Sequence, residues 1–164
     1  MWALCRLADC FVPAVDPEAL AETLSGFYPS LERYLARRLC WRLGVVGSDE
    51  DASQLSALVF EAAKASQIGW DRLFHDLYGG HKPDESADPA WQISAELAKL
   101  ADYASLLSPR QSKTAVQDVR AASLITLEIN FVEQIWEPIA TSDDWSEFTQ
   151  FIQNIRAIGQ RLRS

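Results

Sequence analysis

The chain has 164 residues, of which 48% are hydrophobic and 23% charged, and its formal net charge is −8. This length and composition are typical of one globular domain, or two small ones, with a core of its own, and they exclude a mainly disordered chain. A phosphate backbone attracts a basic surface, so the acidic balance argues against nucleic acid as a partner.

The distribution of charges and cysteines indicates the compartment. Arg6 and Asp9 interrupt the first apolar stretch, so we expect no signal peptide. No stretch approaches the roughly 18 uncharged apolar residues of a membrane helix, so we expect no membrane partner. Cys5, Cys10 and Cys40 form no CxxC pair and are odd in number, which favours buried free thiols in a reducing compartment. We therefore expect a soluble, cytoplasmic protein.

The first three predicted helices come before residue 45. Apolar spacing predicts a helix from Trp2 to near Pro13, and Asp16 with Pro17 is typical of the start of a second. Gly26 and Pro29 weaken that helix, and the stretch SLERYLARRLCWRLG follows as a third, ending at Gly44. The apolar positions that we expect to point inward in the third helix are Leu31, Tyr34, Leu35, Leu39 and Leu43.

Two more helices are predicted before residue 81. Ser48 precedes three acidic residues, which the positive end of a helix dipole favours. The inner stripe of this fourth helix is Leu55, Leu58, Val59 and Ala62. The stretch GWDRLFHDLYGG predicts a short helix that Gly79 and Gly80 end. Its expected buried residues are Trp70, Leu73, Phe74 and Leu77.

The second half predicts three helices. Asp88 and Pro89 begin one that extends to about residue 107, and the spacing of SPRQ, Ser108 to Gln111, resembles a capping box for the next. That helix is expected to break before Pro138, and Ser142 to cap the last one. Their expected inward residues are Trp91, Leu97, Leu100, Ala104 and Leu107; Val116, Val119, Leu124, Leu127, Phe131 and Ile135; and Phe148, Ile152, Ile155, Ile158 and Leu162.

These patterns predict an all-α fold, an irregular bundle of about seven helices with no convincing strand. The polar, proline-containing stretch HKPDESADP is the best candidate for a boundary. We expect a helical region over residues 1–80, a linker over 81–88, and helices over 89–164 that pack on the first half, or a single domain formed by both.

Residue types that carry chemistry each have a structural explanation. His75 and His81 lack a cysteine at zinc-ligand spacing, so we expect no metal site. The sequence contains no glycine-rich phosphate loop and no nucleophile elbow. The acidic groups are typical of helix capping: Asp49, Glu50, Asp51, Asp143 and Asp144. The arginine cluster is typical of a solvated or acid-paired face: Arg33, Arg37, Arg38 and Arg42. The tryptophans are typical of core and interface positions: Trp2, Trp41, Trp70, Trp91, Trp136 and Trp145.

Four consecutive blocks resemble the selenoprotein O family. WALCRLADCFVP is similar to the W-x-L-x-R-L-A helix of that family, ALAETLSGFYPSLERYLARRLCWRLGV to its helix with a basic L-G stop, and DASQLSALVFEAAKASQIGWDRLFHDL to the two helices that follow. The matching positions are Trp2, Leu4, Arg6, Leu7 and Ala8; Arg42, Leu43 and Gly44; and Leu73, Phe74 and Leu77. The chain departs from the family's D-Y-T at Gly69, Trp70 and Asp71, and EINFVEQIWEPIATSDDWSEF resembles the closing segment of shorter members.

The resemblance implies the C-terminal helical part of a pseudokinase, kinase-like fold that transfers AMP from ATP to protein hydroxyl groups. The family binds ATP and magnesium through residues upstream of its W-x-L-x-R-L-A helix, so the resemblance assigns no catalytic, cofactor-binding or metal-binding residue to this chain. The redox-active cysteine or selenocysteine of the family lies near its C-terminus, and this chain has no cysteine after Cys40.

The opening MWALCRLADC therefore resembles an interior helix that has lost its neighbour. We expect a deliberately truncated chain, a split gene product or a degenerate reading frame, in which Trp2, Leu4, Leu7 and Phe11 form an interface. Its partner would be the missing N-terminal kinase-like half or a second copy of the chain. The alternative is an independent helical interaction module with an unknown partner, and a third possibility is an enzyme whose site the sequence does not reveal.

Overall fold

The computed structural model describes residues 2–83, 88–122 and 124–162, and most of them are helical. In chain order the elements are α1 (Trp2–Asp9), α2 (Pro17–Ser25), α3 (Phe27–Arg42), β1 (Val45–Val46), α4 (Asp49–Ser66), α5 (Trp70–Asp76), a 3₁₀ turn (Tyr78–Gly80), α6 (Ala90–Ile93), α7 (Ala95–Ala104), β2 (Ser108–Pro109), α8 (Lys113–Arg120), α9 (Ile129–Ser142) and α10 (Ser146–Arg161). The predicted all-α irregular bundle is confirmed, although the described helices are shorter and more numerous than expected.

The main core lies between α3, α4, α5 and α7. The residues that α4 buries are Ala52, Leu55, Val59 and Ala62, and α7 contributes Leu97, Leu100, Ala101 and Ala104. The predicted start of α4 is correct: the Ser48 hydroxyl accepts a hydrogen bond from the Asp51 amide, while the Asp51 carboxylate accepts one from the Ser48 amide. The Tyr103 hydroxyl donates to Asp51 at 3.1 Å and so ties α7 to the beginning of α4.

Three glycines in the left-handed region form a junction where four helices meet. Gly44 ends α3 with φ +66°, and Gly79 and Gly80 end the α5 segment with φ +75° and +71°. The Gly79 amide donates to the Leu43 carbonyl at 2.7 Å, and the Arg110 amide donates to the Gly44 carbonyl at 2.8 Å. This junction joins the end of α3 to the segments that precede α6 and α8.

The prediction of a helix beginning at Ser108 is wrong. Ser108 and Pro109 form β2, which pairs antiparallel with β1 so that Val45 lies opposite Pro109 and Val46 opposite Ser108. The helix begins at Lys113, because the Ser112 hydroxyl accepts the Ala115 amide hydrogen bond and caps it. A two-residue ladder is too short to leave an alternating pattern in the sequence.

Other predicted boundaries also change. Ser94 is extended and its hydroxyl accepts from the Leu97 amide, which divides the helix predicted up to residue 107 into α6 and α7. The long helix predicted after residue 111 is interrupted between α8 and α9, and α9 continues through Pro138. Ser142 is therefore the last residue of α9 rather than a cap, and Asp144 accepts the Ser146 amide at the start of α10. Part of the predicted linker, residues 84–87, lies outside the described residues, and the domain division stays a prediction.

The exposed face of α3 differs from expectation. The stripe that packs on the core contains Ala36, Leu39 and Cys40, whereas the adjacent stripe is exposed. Small side chains such as Ala36 and Cys40 allow neighbouring helices to approach closely, which favours burial of their stripe. The predicted inward residues that instead lie on the surface are Leu31, Tyr34 and Leu35. Neither α1 nor α2 contains a buried residue.

Two further predictions concern burial and membranes. Leu73 and Leu77 of α5 are buried as expected, but Trp70 is exposed. No residue of α10 is buried, so its predicted inward positions are only partly covered or exposed.

Within the described ranges, no helix is both long and apolar enough to cross a bilayer.

We predict opposite effects for two glycine-to-alanine substitutions. Gly80→Ala should lower the free energy of unfolding by about 2–4 kcal/mol, since it adds positive-φ strain and overpacking. A Cβ atom at Gly80 would lie 2.6 Å from the Ala104 carbonyl oxygen. Gly159→Ala should raise the free energy of unfolding by about 0.5–1 kcal/mol, because alanine is favoured over glycine inside a helix. Gly159 lies in α10, and a Cβ atom there would meet nothing within 4 Å. Urea titration measures both, and equal effects would contradict the assignment of the junction.

Candidate functional site

A cleft of about 360 Å³ lies between α10 on one side and the end of α3, α5 and α8 on the other. Its walls are mainly apolar, and the charged or imidazole side chains among them are Arg42, Asp71 and His75. The apolar and aromatic lining residues are Trp41, Phe74, Tyr78, Val119, Leu124, Ile125, Leu127, Ile155, Ile158 and Leu162, with Gly159 in the α10 wall. An apolar cavity with few convergent polar groups is typical of small-molecule sites.

Three guanidinium groups lie against aromatic side chains of the cleft wall. The Arg38 guanidinium carbon lies 3.9 Å from the centre of the Trp41 ring, and that of Arg110 lies 5.4 Å from it. Arg42 lies 5.3 Å from the centre of the Phe74 ring, and its Nη2 is 3.6 Å from Asp71 Oδ1. Cations over aromatic faces gain electrostatic energy without losing their charge. Of these three arginines, Arg42 lines the cleft, together with Asp71.

A polar network centred on the buried Asp76 reaches the cleft wall at His75. Asp76 is 8% exposed and accepts a hydrogen bond of 2.8 Å from the Trp91 indole, which ties α5 to α6. His75 Nδ1 lies 3.3 Å from Asp76 Oδ1, and His75 Nε2 lies 3.1 Å from the Ala122 carbonyl oxygen. Arg120 donates to the Asp76 carbonyl at 2.7 Å. Both ring nitrogens of His75 therefore face acceptors, which only the protonated imidazolium satisfies fully.

The pKa shifts of the two groups agree with this geometry. The hydrogen bond to Asp76 raises the pKa of His75, with the Ala122 carbonyl and the Asp76 charge adding to it, against burial and the Arg72 charge. Burial alone would raise the pKa of Asp76, but hydrogen bonds from His75 and Trp91 and the Arg72 charge lower it below its ordinary value. Both shifts favour the charged forms, an imidazolium on His75 beside a carboxylate on Asp76.

The C-terminal end of α10 is attached to the junction by hydrogen bonds to its last carbonyls. Arg110 donates to the Leu162 carbonyl at 2.7 Å, and Gln111 donates to the Arg161 carbonyl at 2.8 Å. The Tyr78 hydroxyl donates to the Gln111 side-chain oxygen at 2.6 Å. Because α10 has no buried residue of its own, these hydrogen bonds contribute to holding it in place as one wall of the cleft.

The acidic groups and arginines singled out in the sequence do not form one site. Asp49 is paired with Arg37, and Asp51 caps α4, where hydrogen bonds from Ser48 lower its pKa. Asp143 follows α9 in a left-handed conformation and accepts from Trp145 at 2.8 Å. Hydrogen bonds from Ser146 lower the pKa of Asp144 at the start of α10. The described residues contain no group of three side chains that could hold a metal ion.

Cysteines and tryptophans are more exposed than predicted. Only Cys40 is buried, and burial raises the pKa of its thiol, with the Asp51 charge adding to the effect. Cys10 is exposed and Cys5 half-buried, because α1 does not pack on the core. Trp41 and Trp91 are half-buried. Trp41 lines the cleft, and the Trp91 indole donates a hydrogen bond to Asp76 in the polar network. The other four tryptophans are exposed: Trp2, Trp70, Trp136 and Trp145.

The four predicted interface residues lie on or next to α1. Trp2 is 76% exposed, Leu7 56% and Phe11 49%, and Leu4 is half-buried. Sequence reasoning did not find the cleft, since its residues come from four separate parts of the chain. The one sequence feature that points toward the cleft is His75 next to Asp76 in a short amphipathic helix.

Comparison with known proteins identifies the family to which the chain belongs. The family model described as protein adenylyltransferase SelO matches residues 1–156. The chain belongs to this family, so the resemblance predicted from the sequence is confirmed and extends well beyond its first eighty residues. The protein nucleotidyltransferase YdiU of Pseudomonas fluorescens is 23% identical over 159 residues, which cover 93% of this chain and 32% of the relative. The chain thus spans about a third of that relative's length. No solved structure matches it significantly.

We predict that the free energy of unfolding is greater at pH 6 than at pH 8. A raised folded-state pKa of His75 stabilises the protein fully below about pH 6.5, the reference value, and this contribution is lost as pH rises through the folded-state pKa. Urea titration at the two pH values measures the difference. His75→Gln should abolish most of it, and an unchanged difference in that variant would contradict the role of His75.

Proposed function

We propose that the chain is a non-catalytic helical part of a protein adenylyltransferase of the SelO family, which supports a nucleotide-binding and catalytic part contained in other residues. The observation that carries this proposal is the family match over residues 1–156 in a chain that spans 32% of its Pseudomonas relative. The whole reaction, AMP transfer from ATP and magnesium to protein hydroxyl groups, would then require the remaining residues of such a protein.

The roles of the acidic side chains support a structural rather than a catalytic part. Asp51 and Asp144 accept hydrogen bonds at helix N-termini, and Asp76 is buried in contact with Trp91 and His75. Magnesium-dependent phosphoryl chemistry uses carboxylates that face the phosphates. These three carboxylates are instead directed at their own helices or at the core.

The exposed apolar surface of α1, of the turn that follows it and of the first half of α3 supports a role in binding another part of the enzyme. We call this the N-terminal apolar surface; its exposed residues are Trp2, Leu7, Phe11, Val12, Val15, Tyr28, Leu31, Tyr34 and Leu35. Large exposed apolar patches mark interaction sites in soluble proteins. We propose that it packs against the catalytic part of the enzyme, and that it pairs with a second copy when that part is absent.

The first test is nucleotide binding by this chain. A ligand at a hundred times its Kd stabilises the native state by about 2.7 kcal/mol and raises the melting temperature. ATP with magnesium should leave the melting temperature of this chain unchanged, because we propose that other residues bind the nucleotide. No AMP should be transferred to a protein substrate from labelled ATP. The full-length Pseudomonas relative, assayed in parallel, provides the positive control. A nucleotide-dependent rise in melting temperature would overturn the proposal.

The second test is self-association through the N-terminal apolar surface. We expect the mass from light scattering to rise with protein concentration, and Leu7→Glu to hold it at the monomer value, because a buried charge prevents pairing. Ile93→Glu is the matched control, since Ile93 is 84% exposed and lies outside this surface. A wild-type chain that stays monomeric would favour the alternative, an independent module that uses another surface.

A further inference from the structure

The α10 wall of the cleft contains a glycine that packing does not explain. Gly159 lies among Ile155, Ile158 and Leu162, which also line the cleft. A Cβ atom at Gly159 would meet nothing within 4 Å, so no neighbour requires a glycine there. Glycine inside a helix costs about 0.5–1 kcal/mol relative to alanine. The missing side chain has one visible structural consequence, which is that space in the cleft remains open.

The charges at the cleft differ from those of the chain as a whole. The net charge of the chain is −8, yet Arg42 lines the cleft, and Arg38 and Arg110 lie against the ring of Trp41, another lining residue. Asp71 faces Arg42, but the shortest distance between them is 3.6 Å. Because a strong charge-assisted hydrogen bond measures about 2.7–2.9 Å, Arg42 keeps donors for another anion. Arg42 is also about half exposed, so a ligand can reach it.

The size of the cleft limits what it can hold. Its volume of about 360 Å³ lies near the lower end of the range for small-molecule sites, about 300–1,000 Å³. A short acyl chain or a small ring system fits such a space. The apolar lining selects the body of the ligand, and Arg42 at its edge selects a negative head.

We propose that this cleft binds a small amphipathic carboxylate, with its acyl or aryl body between α5 and α10 and its carboxylate on Arg42. His75, with both ring nitrogens held by Asp76 and Ala122, forms part of the wall and leaves Arg42 as the group that holds the head. This site is separate from the N-terminal apolar surface, and it does not depend on the adenylyltransferase proposal.

The test compares three probes that share a ten-carbon chain and differ in head group: decanoate, decanol and decyltrimethylammonium. Titration calorimetry on the full chain should give saturable one-to-one binding of decanoate, weaker binding of decanol, and the weakest binding of the cation. This order would identify local charge at the cleft, because the overall charge of −8 would favour the cation. A preference for the cation, or equal affinity for all three, would overturn the proposal.

Variants locate the binding in the cleft. Arg42→Gln should weaken decanoate binding about fivefold, the size expected for a solvent-screened ion pair, with decanol binding unchanged. Gly159→Phe should fill the cleft and weaken both ligands at least tenfold, and Ala157→Phe, at an exposed position of the same helix, should leave both unchanged. Circular dichroism and the melting temperature verify that each variant folds. Decanoate affinity that survives both Arg42→Gln and Gly159→Phe would place the ligand elsewhere and exclude this site.

Discussion

The close approach of backbones at Gly44, Gly79 and Gly80 is the constraint on which the rest of the structure depends. Each glycine lies in the left-handed region, and an added Cβ atom would meet the Tyr78 ring, the Val116 side chain or the Ala104 carbonyl at less than 3.0 Å. The contacts belong to α8, to α7 and to the turn after α5, so three separate segments are fixed against the end of α3. Glycine tolerates both the φ values and the short distances. The β1–β2 pair and the hydrogen bonds to the end of α10 then form around this junction.

Burial is distributed unevenly along the chain. The core between α3, α4, α5 and α7 is closely packed, and Leu55, Leu73, Leu97 and Leu100 are fully buried. By contrast, α1 and α2 contain no buried residue. Exposed apolar area carries a free-energy cost of roughly 25 cal/mol per Å², which a partner surface would remove. This contrast, together with membership of the SelO family and the 32% span of its relative, is why we propose a supporting part within a larger enzyme.

The polar network and the cleft share His75 of α5. Asp76 is buried and accepts a hydrogen bond from the Trp91 indole, whereas His75 and Phe74 line the cleft. Because His75 contacts both Asp76 and the Ala122 carbonyl, the protonation state of one imidazole affects how the segment before α9 is held. His75 also lines the cleft, so this contact lies in the cleft wall itself.

The sequence determined the helical class, the start of α4 at Ser48, the stops at Gly44 and Gly79–Gly80, the stripe of α4, and the family. Each of these depends on neighbouring residues: capping, helix dipole, glycine conformation and apolar periodicity act over a few positions. Tertiary structure decided which stripe of α3 is buried, that Ser108–Pro109 pairs with β1, that α9 runs through Pro138, and that Trp41, His75 and Gly159 share one cleft. Those outcomes depend on which distant segments approach one another, and a helical pattern with two apolar stripes does not specify which of them a neighbour will cover.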